Sequence, residues 1–188
     1  MIRSQVEVEA SALKAEAVIS DDLLDEVTGL VEWPVALTGS FEERFLAVPQ
    51  EALVSSMKEH QKYFHVVDKQ GNLKPSFITI ANIESKDPVQ VISGNERVIR
   101  PRLSDAAFFF ETDKKTALAD RVASLEKIVF QQKLGTLKEK TERIVRLAGA
   151  LAKHIGAPVA LAERAALLSK TDLVTDMVQE FSDMQGIA

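Results

Sequence analysis

Three arginines, Arg97, Arg100 and Arg102, lie within six residues of the stretch GNERVIRPRLSDAAFFFETD. A guanidinium group is planar and carries its N–H donors in a fixed fork, so it binds phosphate oxygens and carboxylates in a two-point geometry. The stretch therefore predicts one of two partners, a nucleic-acid backbone or acidic side chains buried between domains. The nearby acids are Glu96, Asp105 and Glu111.

A second group of polar residues, His60, Gln61 and Lys62, lies in HQKYF, where a helical pattern changes to a strand pattern. Polar side chains that converge beside an aromatic ring could bind RNA, with the ring stacked on a base. The alternative interpretation is that Tyr63 and Phe64 begin a half-buried strand and that Lys62 is solvated. The sequence leaves both interpretations open.

Groups that could react are scarce in this chain. It has no cysteine, and His60 and His65 are five apart, which suits neither a helical nor a same-strand-face metal pair. Phosphate-binding glycine loops are absent, and no serine has a histidine and an acid in a nucleophile pattern. We therefore expect no catalytic residue, no metal site and no cofactor here.

The net charge of −5 bears on nucleic-acid binding. Proteins that bind nucleic acid by overall charge are usually basic, so binding here would need a local basic patch. No apolar run approaches the roughly 18 residues that cross a bilayer, so no membrane association is expected.

The helix that carries the arginines has two unusual features. Pro101 should kink or break it near Arg97, because proline removes one backbone hydrogen bond. The three consecutive phenylalanines, 108–110, cannot share one helix face, so at least two should enter a core or one should cover a contact. We interpret the segment as a buried strut whose arginines pair with acids, although Glu96 and Arg100 could equally form a surface ion pair.

The elements before residue 116 predict an α+β fold. The composition of residues 1–19 predicts a helix that is exposed at its start. Ser20 and the two acids that follow it predict the beginning of the next helix. VALTGSF and RFLAV read as strands, and PQEALVSSMKEH reads as a helix with Pro49 in its first turn. KYFHVVD and SFITIAN form a hairpin, and Asp87-Pro88 opens the arginine helix.

The rest of the chain predicts a helical bundle. Thr136 and Glu139 form a capping box, and Gly156 and Pro158 end the helix that follows. The short run KIVF carries the only further strand signal. We predict three parts: an N-terminal helical segment (1–20), an α+β domain with a small antiparallel sheet (21–120), and a helical domain (121–188).

Several segments resemble the β subunit of bacterial glycyl-tRNA synthetase. They include LVEWPVAL, FLAVPQEALVSSMKEHQKYF, SFITIANIESKDP, VFQQKLGTLKEKTERI and LLSKTDLVTDMVQEFSDMQG, and the arginine stretch is another. The resemblance implies an internal fragment of a cytoplasmic enzyme with two α and two β subunits. In that family the α subunit uses ATP and Mg to form the glycine adenylate, and the β subunit binds tRNA(Gly).

The C-terminal part is similar to HD phosphohydrolases in KTERIVRLAGALAKHIG and ERAALLSKTDLVT. Lys140 stands where the resemblance implies the first metal-binding histidine. Ser169-Lys170, or Thr171-Asp172 in a shifted register, stands where it implies the His-Asp pair, and a lone Asp172 supplies too few ligands for a catalytic divalent ion. A protonated lysine cannot ligate a metal. We therefore expect an HD-like domain, truncated at its C-terminus, without hydrolase chemistry. Lys140 and Lys170 could make the former pocket positive, or could simply be solvated.

The sequence thus predicts that the fragment helps attach glycine to tRNA(Gly) by binding tRNA and by scaffolding, with the α subunit and a second β subunit as partners. The alternative is a structural module for α–β or β–β assembly with no tRNA contact. The candidate tRNA-binding residues are His60, Gln61, Lys62, Arg97, Arg100, Arg102, Lys140 and Lys170.

Overall fold

A four-stranded antiparallel sheet organises the first part of the chain, in a computed structural model that describes residues 1–187. Its strand order is β1-β3-β4-β2. The central hairpin pairs Phe64 with Ile78, so the predicted hairpin is confirmed. The strands are β1 (Glu16–Ala17), β2 (Val35–Ser40), β3 (Phe64–Val67) and β4 (Leu73–Ala81).

Helices α1 (Ile2–Ala12) and α2 (Asp21–Leu30) pack against this sheet. Val6 and Phe64 are fully buried in the shared core. The predicted N-terminal helix is present, but it ends at Ala12, because Glu16 and Ala17 pair with β3 as strand β1. Its predicted exposure is wrong, because one face of α1 is buried despite its alanine- and glutamate-rich composition. The other buried members of this core are Ile2, Ala10, Leu23, Val27, Ala36, Val66 and Ile78.

Side chains from helices form hydrogen bonds with backbone groups along the outer edge of β2. Gln5 accepts a hydrogen bond from the Ala36 amide (2.8 Å) and donates one to the Pro34 carbonyl (3.0 Å). Farther along, the carboxylate of Glu96 accepts one from the Ser40 amide (2.9 Å). An edge strand otherwise leaves such groups without a partner, so these side chains complete the hydrogen bonding of β2.

The segment RFLAV is not a strand, contrary to the sequence-based prediction. It lies in a 3-10 helix, Glu43–Ala47, in which only Phe45 is buried. Strand propensity depends on a neighbouring strand, and β2 already forms the sheet edge before this segment begins. Helix α3 (Gln50–Ser55) follows with Pro49 as its N-cap, and a π-helix continues from Ser56 to His60.

Helix α4 (Pro88–Asp113) is continuous through Pro101, so the predicted break near Arg97 is wrong. Its buried face carries Ile99, Leu103 and Ala106, whereas Pro101 is exposed. On an exposed face, water can bind the Arg97 carbonyl that loses its helical partner, which lowers the cost of proline in a helix.

The chain divides into two compact units, one from Met1 to Phe108 and one from Phe109 onward. In the second unit the predicted capping box is confirmed, because Thr136 and Glu139 bind each other's backbone amides. The α+β fold class is likewise confirmed. The elements of this unit after α4 are α5 (Leu118–Arg121), β5 (Val129–Gln131), β6 (Gly135–Thr136), α6 (Leu137–His154), α7 (Val159–Leu168) and α8 (Asp176–Glu180).

One carboxylate, that of Asp113, connects three segments of the second unit. It accepts a hydrogen bond from Arg121 at 2.8 Å and from the backbone amides of Asp176 (3.0 Å) and Met177 (2.9 Å). Both ionic side chains are largely buried, at 12% and 14% exposure. Arg121 also donates to the Val174 carbonyl (3.1 Å), so the pair fixes the start of α8 twice.

We expect Asp113→Ala to lower the free energy of unfolding by about 2–4 kcal/mol, because it leaves a buried guanidinium without its counter-charge and two amides unpaired. Urea denaturation followed by circular dichroism measures the change. The matched control is Glu111→Ala, which removes only an exposed ion pair with Lys114 and should cost about 0.5 kcal/mol or less. Equal losses in the two variants would contradict this role for Asp113.

Among the residues that the structure describes, no helix is long and apolar enough to cross a membrane.

Candidate functional site

The junction between α3 and β3 departs from regular geometry at two consecutive points. A π-helix covers Ser56–His60, and Lys62 has a φ of 58°, in the left-handed region that side chains other than glycine seldom adopt. Short π-helices and residues with left-handed backbone angles are both enriched at functional positions, although they also occur in ordinary connections between elements. The two departures place His60 on the surface and leave Gln61 and Lys62 half-buried.

The aromatic residues beside this junction belong to the core. Tyr63 and Phe64 are 3% and 0% exposed, so neither can stack on a base, and the interpretation of a half-buried strand is nearer the structure. The Tyr63 ring stacks on Phe77 at 4.4 Å, and its hydroxyl donates to Asn95 of α4 at 2.6 Å. Burial raises the pKa of Tyr63 to about 12, so its hydroxyl keeps its proton.

Lys62 forms an ion pair with another residue of the first unit. Its ammonium lies 2.9 Å from the Glu26 carboxylate of α2. Both groups are partly exposed, at 31% and 47%, so the pair is a weak one that a stronger anion could replace. The Tyr63–Asn95 hydrogen bond connects this junction directly to α4, which carries the three arginines.

The arginines of α4 are all exposed and differ in their partners. Arg100 forms an ion pair with Glu42 at 2.7 Å, while Glu96 binds Ser40 instead of Arg100. Partner acids for Arg97 and Arg102 are absent among residues 1–187. Consecutive positions of a helix are 100° apart, so Arg97 and Arg100 lie side by side and Arg102 points to a different side.

The buried-strut interpretation of α4 is wrong. All three arginines face solvent, and Phe108 is 64% exposed, while Phe109 and Phe110 are half-buried. The acid that pairs with Arg100, Glu42, comes from the loop after β2 and is not one of the acids nearby in sequence. Hydrogen bonds from its own backbone amide and from Arg100 lower the pKa of Glu42, so it remains charged.

The two candidate lysines of the second unit, Lys140 and Lys170, are half-buried and have separate surroundings. The Lys140 ammonium lies 3.7 Å from the centre of the Phe130 ring, a cation–π contact. Lys170 is the N-cap of a short 3-10 helix, Thr171–Val174. No direct contact between them is present within the described part of the chain. A shared positive pocket therefore stays a prediction.

Sequence reasoning noted only a short strand signal in KIVF and did not predict a binding surface in the hairpin β5–β6, which covers residues 129–136. Its strand β5 is exposed along its whole length, and Phe130 and Leu134 are 40% and 54% exposed. The available signal is the unusual run VFQQKLG, in which apolar residues flank two glutamines and a lysine and no acid is present. Its strand propensity alone predicts only a weak strand and no binding surface.

The histidine of β3, His65, lines a cleft of about 310 Å³ together with Val18, Val54 and Leu73. Burial, helped by the positive charge of Lys58, lowers the pKa of His65 from 6.5 to about 4. The imidazole is therefore neutral at physiological pH. Groups of three or more acids and histidines able to hold a metal ion are not found among residues 1–187.

Comparison with known families adds a decisive observation. The profile described as "Glycyl-tRNA synthetase beta subunit" matches residues 1–188. The chain belongs to this family.

Three bacterial glycine–tRNA ligase beta subunits illustrate how closely this family segment is related. That of Marinobacter nauticus is 64% identical over 190 residues, or 98% of this chain. Those of Chromohalobacter salexigens and Psychromonas ingrahamii are 63% and 62% identical, over 99% and 100% of the chain. Each match covers 27% of the relative, so the chain spans about a quarter of the length of these proteins.

The family resemblance read from the sequence segments is thus confirmed. The HD-like resemblance of the C-terminal part and the eight candidate tRNA-binding residues stay predictions. Within the beta-subunit segment, the structure brings His60, Gln61 and Lys62 next to α4 through Tyr63 and Asn95. It places Lys140 and Lys170 in the other unit.

The pKa of His65 predicts how stability depends on pH. Unfolded chains take up the imidazole proton below about pH 6.5, whereas the folded protein does so only near pH 4. The free energy of unfolding should therefore be fully retained above pH 6.5 and fall by up to about 3 kcal/mol as the pH drops to 4. Thermal melts from pH 4 to 8 measure this fall.

The variant His65→Gln should show a smaller fall over this pH range, because the amide does not titrate. The matched control is Val67→Ala in the same strand, which changes no titrating group and should keep the wild-type pH dependence. An unchanged pH dependence in His65→Gln would contradict the role of His65.

Proposed function

We propose that this chain is the part of a glycyl-tRNA synthetase β subunit that binds tRNA(Gly) and serves as a scaffold in the ATP-dependent attachment of glycine. The observation that carries this proposal is the family match over residues 1–188. The adenylate would form on the α subunit, with ATP and Mg there. This segment would act in the cytoplasm, without a reactive group, beside an α subunit and a second β subunit.

Exposed cations on α4 support the tRNA-binding part of the proposal. Arg97 and Arg102 have no acidic partner among residues 1–187, so their guanidinium groups can bind phosphate without first breaking an ion pair. Arg100 and Lys62 would have to exchange Glu42 and Glu26 for phosphate. We therefore assign Arg97 and Arg102 the larger share of binding at α4.

A specific observation also favours the second candidate function, subunit assembly. Phe108 is 64% exposed and Val98 is 51% exposed on α4. A large exposed aromatic residue is typical of a protein contact, since aromatic residues dominate interface energies. Under this alternative, α4 would contact another subunit and make no tRNA contact.

Neutralising the arginines tests the tRNA-binding proposal. In the full-length β subunit, Arg97→Gln and Arg102→Gln should each weaken binding of tRNA(Gly) about tenfold, because each removes one charge-assisted hydrogen bond. Fluorescence anisotropy over a range of salt concentrations measures this. The slope of log affinity against log salt should fall by about one for each phosphate interaction that a variant removes.

The matched control is Lys69→Gln, which removes an exposed charge in the β3–β4 turn and should leave affinity unchanged. Wild-type affinity in both arginine variants would reject α4 as a tRNA contact.

Truncating Phe108 separates the two functions. If α4 contacts another subunit, Phe108→Ala should reduce assembly with the α subunit in size-exclusion chromatography, whereas Phe108→Leu, which keeps an apolar side chain, should retain most of it. Under the tRNA-binding proposal both variants assemble normally. Loss of assembly with unchanged tRNA affinity would favour the structural module.

A further inference from the structure

The hairpin β5–β6 presents an aromatic residue on a rigid support. The Leu134 amide donates to the Gln131 carbonyl at 2.9 Å, and the Lys133 amide donates to the Gln131 side chain at 2.8 Å. The Leu137 amide, at the start of α6, donates to the Ile128 carbonyl at 2.8 Å. These bonds hold both ends of the hairpin, so the position of Phe130 is fixed before any partner binds.

Gly135 and the capping box strengthen this support. Gly135 has a φ of 85°, and a Cβ there would overlap the carboxylate of Glu139. That carboxylate accepts a hydrogen bond from the Thr136 amide at 2.7 Å. The positive φ favours glycine at this turn into α6, and a side chain there would have to displace the Glu139 carboxylate from the helix cap.

The charge around the hairpin is positive, in a chain of net charge −5. The segment Lys127–Gly135 contains two lysines and no acid. Arg143 donates to the Leu134 carbonyl at 3.0 Å, which brings a guanidinium to the hairpin turn without neutralising it. The nearest acid before the hairpin, Glu126, is already paired with Lys138 at 2.9 Å. One carboxylate also lies at the hairpin, that of Glu139 beside Gly135, where it accepts a hydrogen bond from the Thr136 amide. The cations Lys133, Lys140 and Arg143 outnumber it, so the charge at the hairpin is net positive.

One face of the Phe130 ring contacts a cation, and part of the side chain is exposed. The Lys140 ammonium, 3.7 Å from the ring centre, covers one face, yet 40% of the side chain remains exposed. An aromatic ring between a cation and solvent is a platform on which a nucleic-acid base can stack, because every base has a π face. Lysines and an arginine beside the ring suit the phosphates on either side of that base.

We propose that the β5–β6 hairpin binds an unpaired nucleotide of tRNA, with the base stacked on Phe130 and the flanking phosphates bound by Lys133 and Arg143. This inference rests on the proposed tRNA-binding function and gives it a second contact, distinct from the arginines of α4. An unpaired nucleotide is required because bases within a duplex have both faces covered.

The test uses the full-length β subunit, fluorescently labelled tRNA(Gly) and four variants. Phe130→Ala should weaken binding about 5- to 100-fold, the range for losing one stacked base. Phe130→Trp keeps a ring and should stay within about twofold of wild type. The matched control Val129→Ala, at a neighbouring exposed position of the same strand, should also bind as wild type does.

The salt dependence of tRNA affinity distinguishes the contribution of base stacking from that of charged contacts. Phe130→Ala should leave the slope of log affinity against log salt unchanged, whereas Lys133→Gln should lower it by about one. An unlabelled single-stranded oligoribonucleotide should compete with tRNA better than a duplex of equal length, and Phe130→Ala should abolish this preference.

Two results would overturn the inference. If Phe130→Ala binds tRNA like wild type while Arg97→Gln and Arg102→Gln weaken binding, the hairpin is not a contact and the proposed function stands. If Phe130→Ala instead reduces assembly with the α subunit and spares tRNA affinity, the hairpin binds protein. Absence of tRNA binding by the wild-type subunit would reject the proposed function together with this inference.

Discussion

Backbone amides that find no partner in their own element determine much of this structure. In each case a side chain distant in sequence accepts the hydrogen bond. Gln5 and Glu96 serve the edge strand β2, and Asp113 serves the start of α8. Asn82 binds the amides of Glu32 and Trp33 after α2, at 2.6 and 2.9 Å. The bonds to Ala36 and Met177 are partly buried, where an unpaired amide is costly, so these acceptors help to fix where elements begin and end. Those to Glu32, Trp33 and Ser40 are exposed and replace hydrogen bonds to water.

Features encoded by neighbouring residues could be predicted from the sequence. The capping box of Thr136 and Glu139 and the β3–β4 hairpin both depend on residues a few positions apart, and both are present. RFLAV and the segment after α1 could not be predicted in the same way. Their conformations depend on which strand lies beside them, and β1 exists only because Glu16 and Ala17 pair with β3.

At the candidate site, too, features set by neighbouring residues could be predicted from the sequence, and features set by distant partners could not. The sequence located the arginines and the junction around His60, because charge and a change of period are local signals. It could not show that Tyr63 is buried against Phe77 or that Arg100 pairs with Glu42. Each of these depends on a partner that is distant along the chain. The Phe130–Lys140 contact, ten positions apart across a turn, was missed for the same reason.

The side-chain hydrogen bonds along β2 have a consequence for the behaviour of the protein in concentrated solution. A sheet grows when the outer strand of one molecule recruits a strand from another. Here Gln5 and Glu96 already occupy the amides of Ala36 and Ser40. The opposite outer strand, β1, is only two residues long. Neither margin of the sheet therefore offers a long template for fibril growth, which protects a chain that is synthesised and folded among many identical copies.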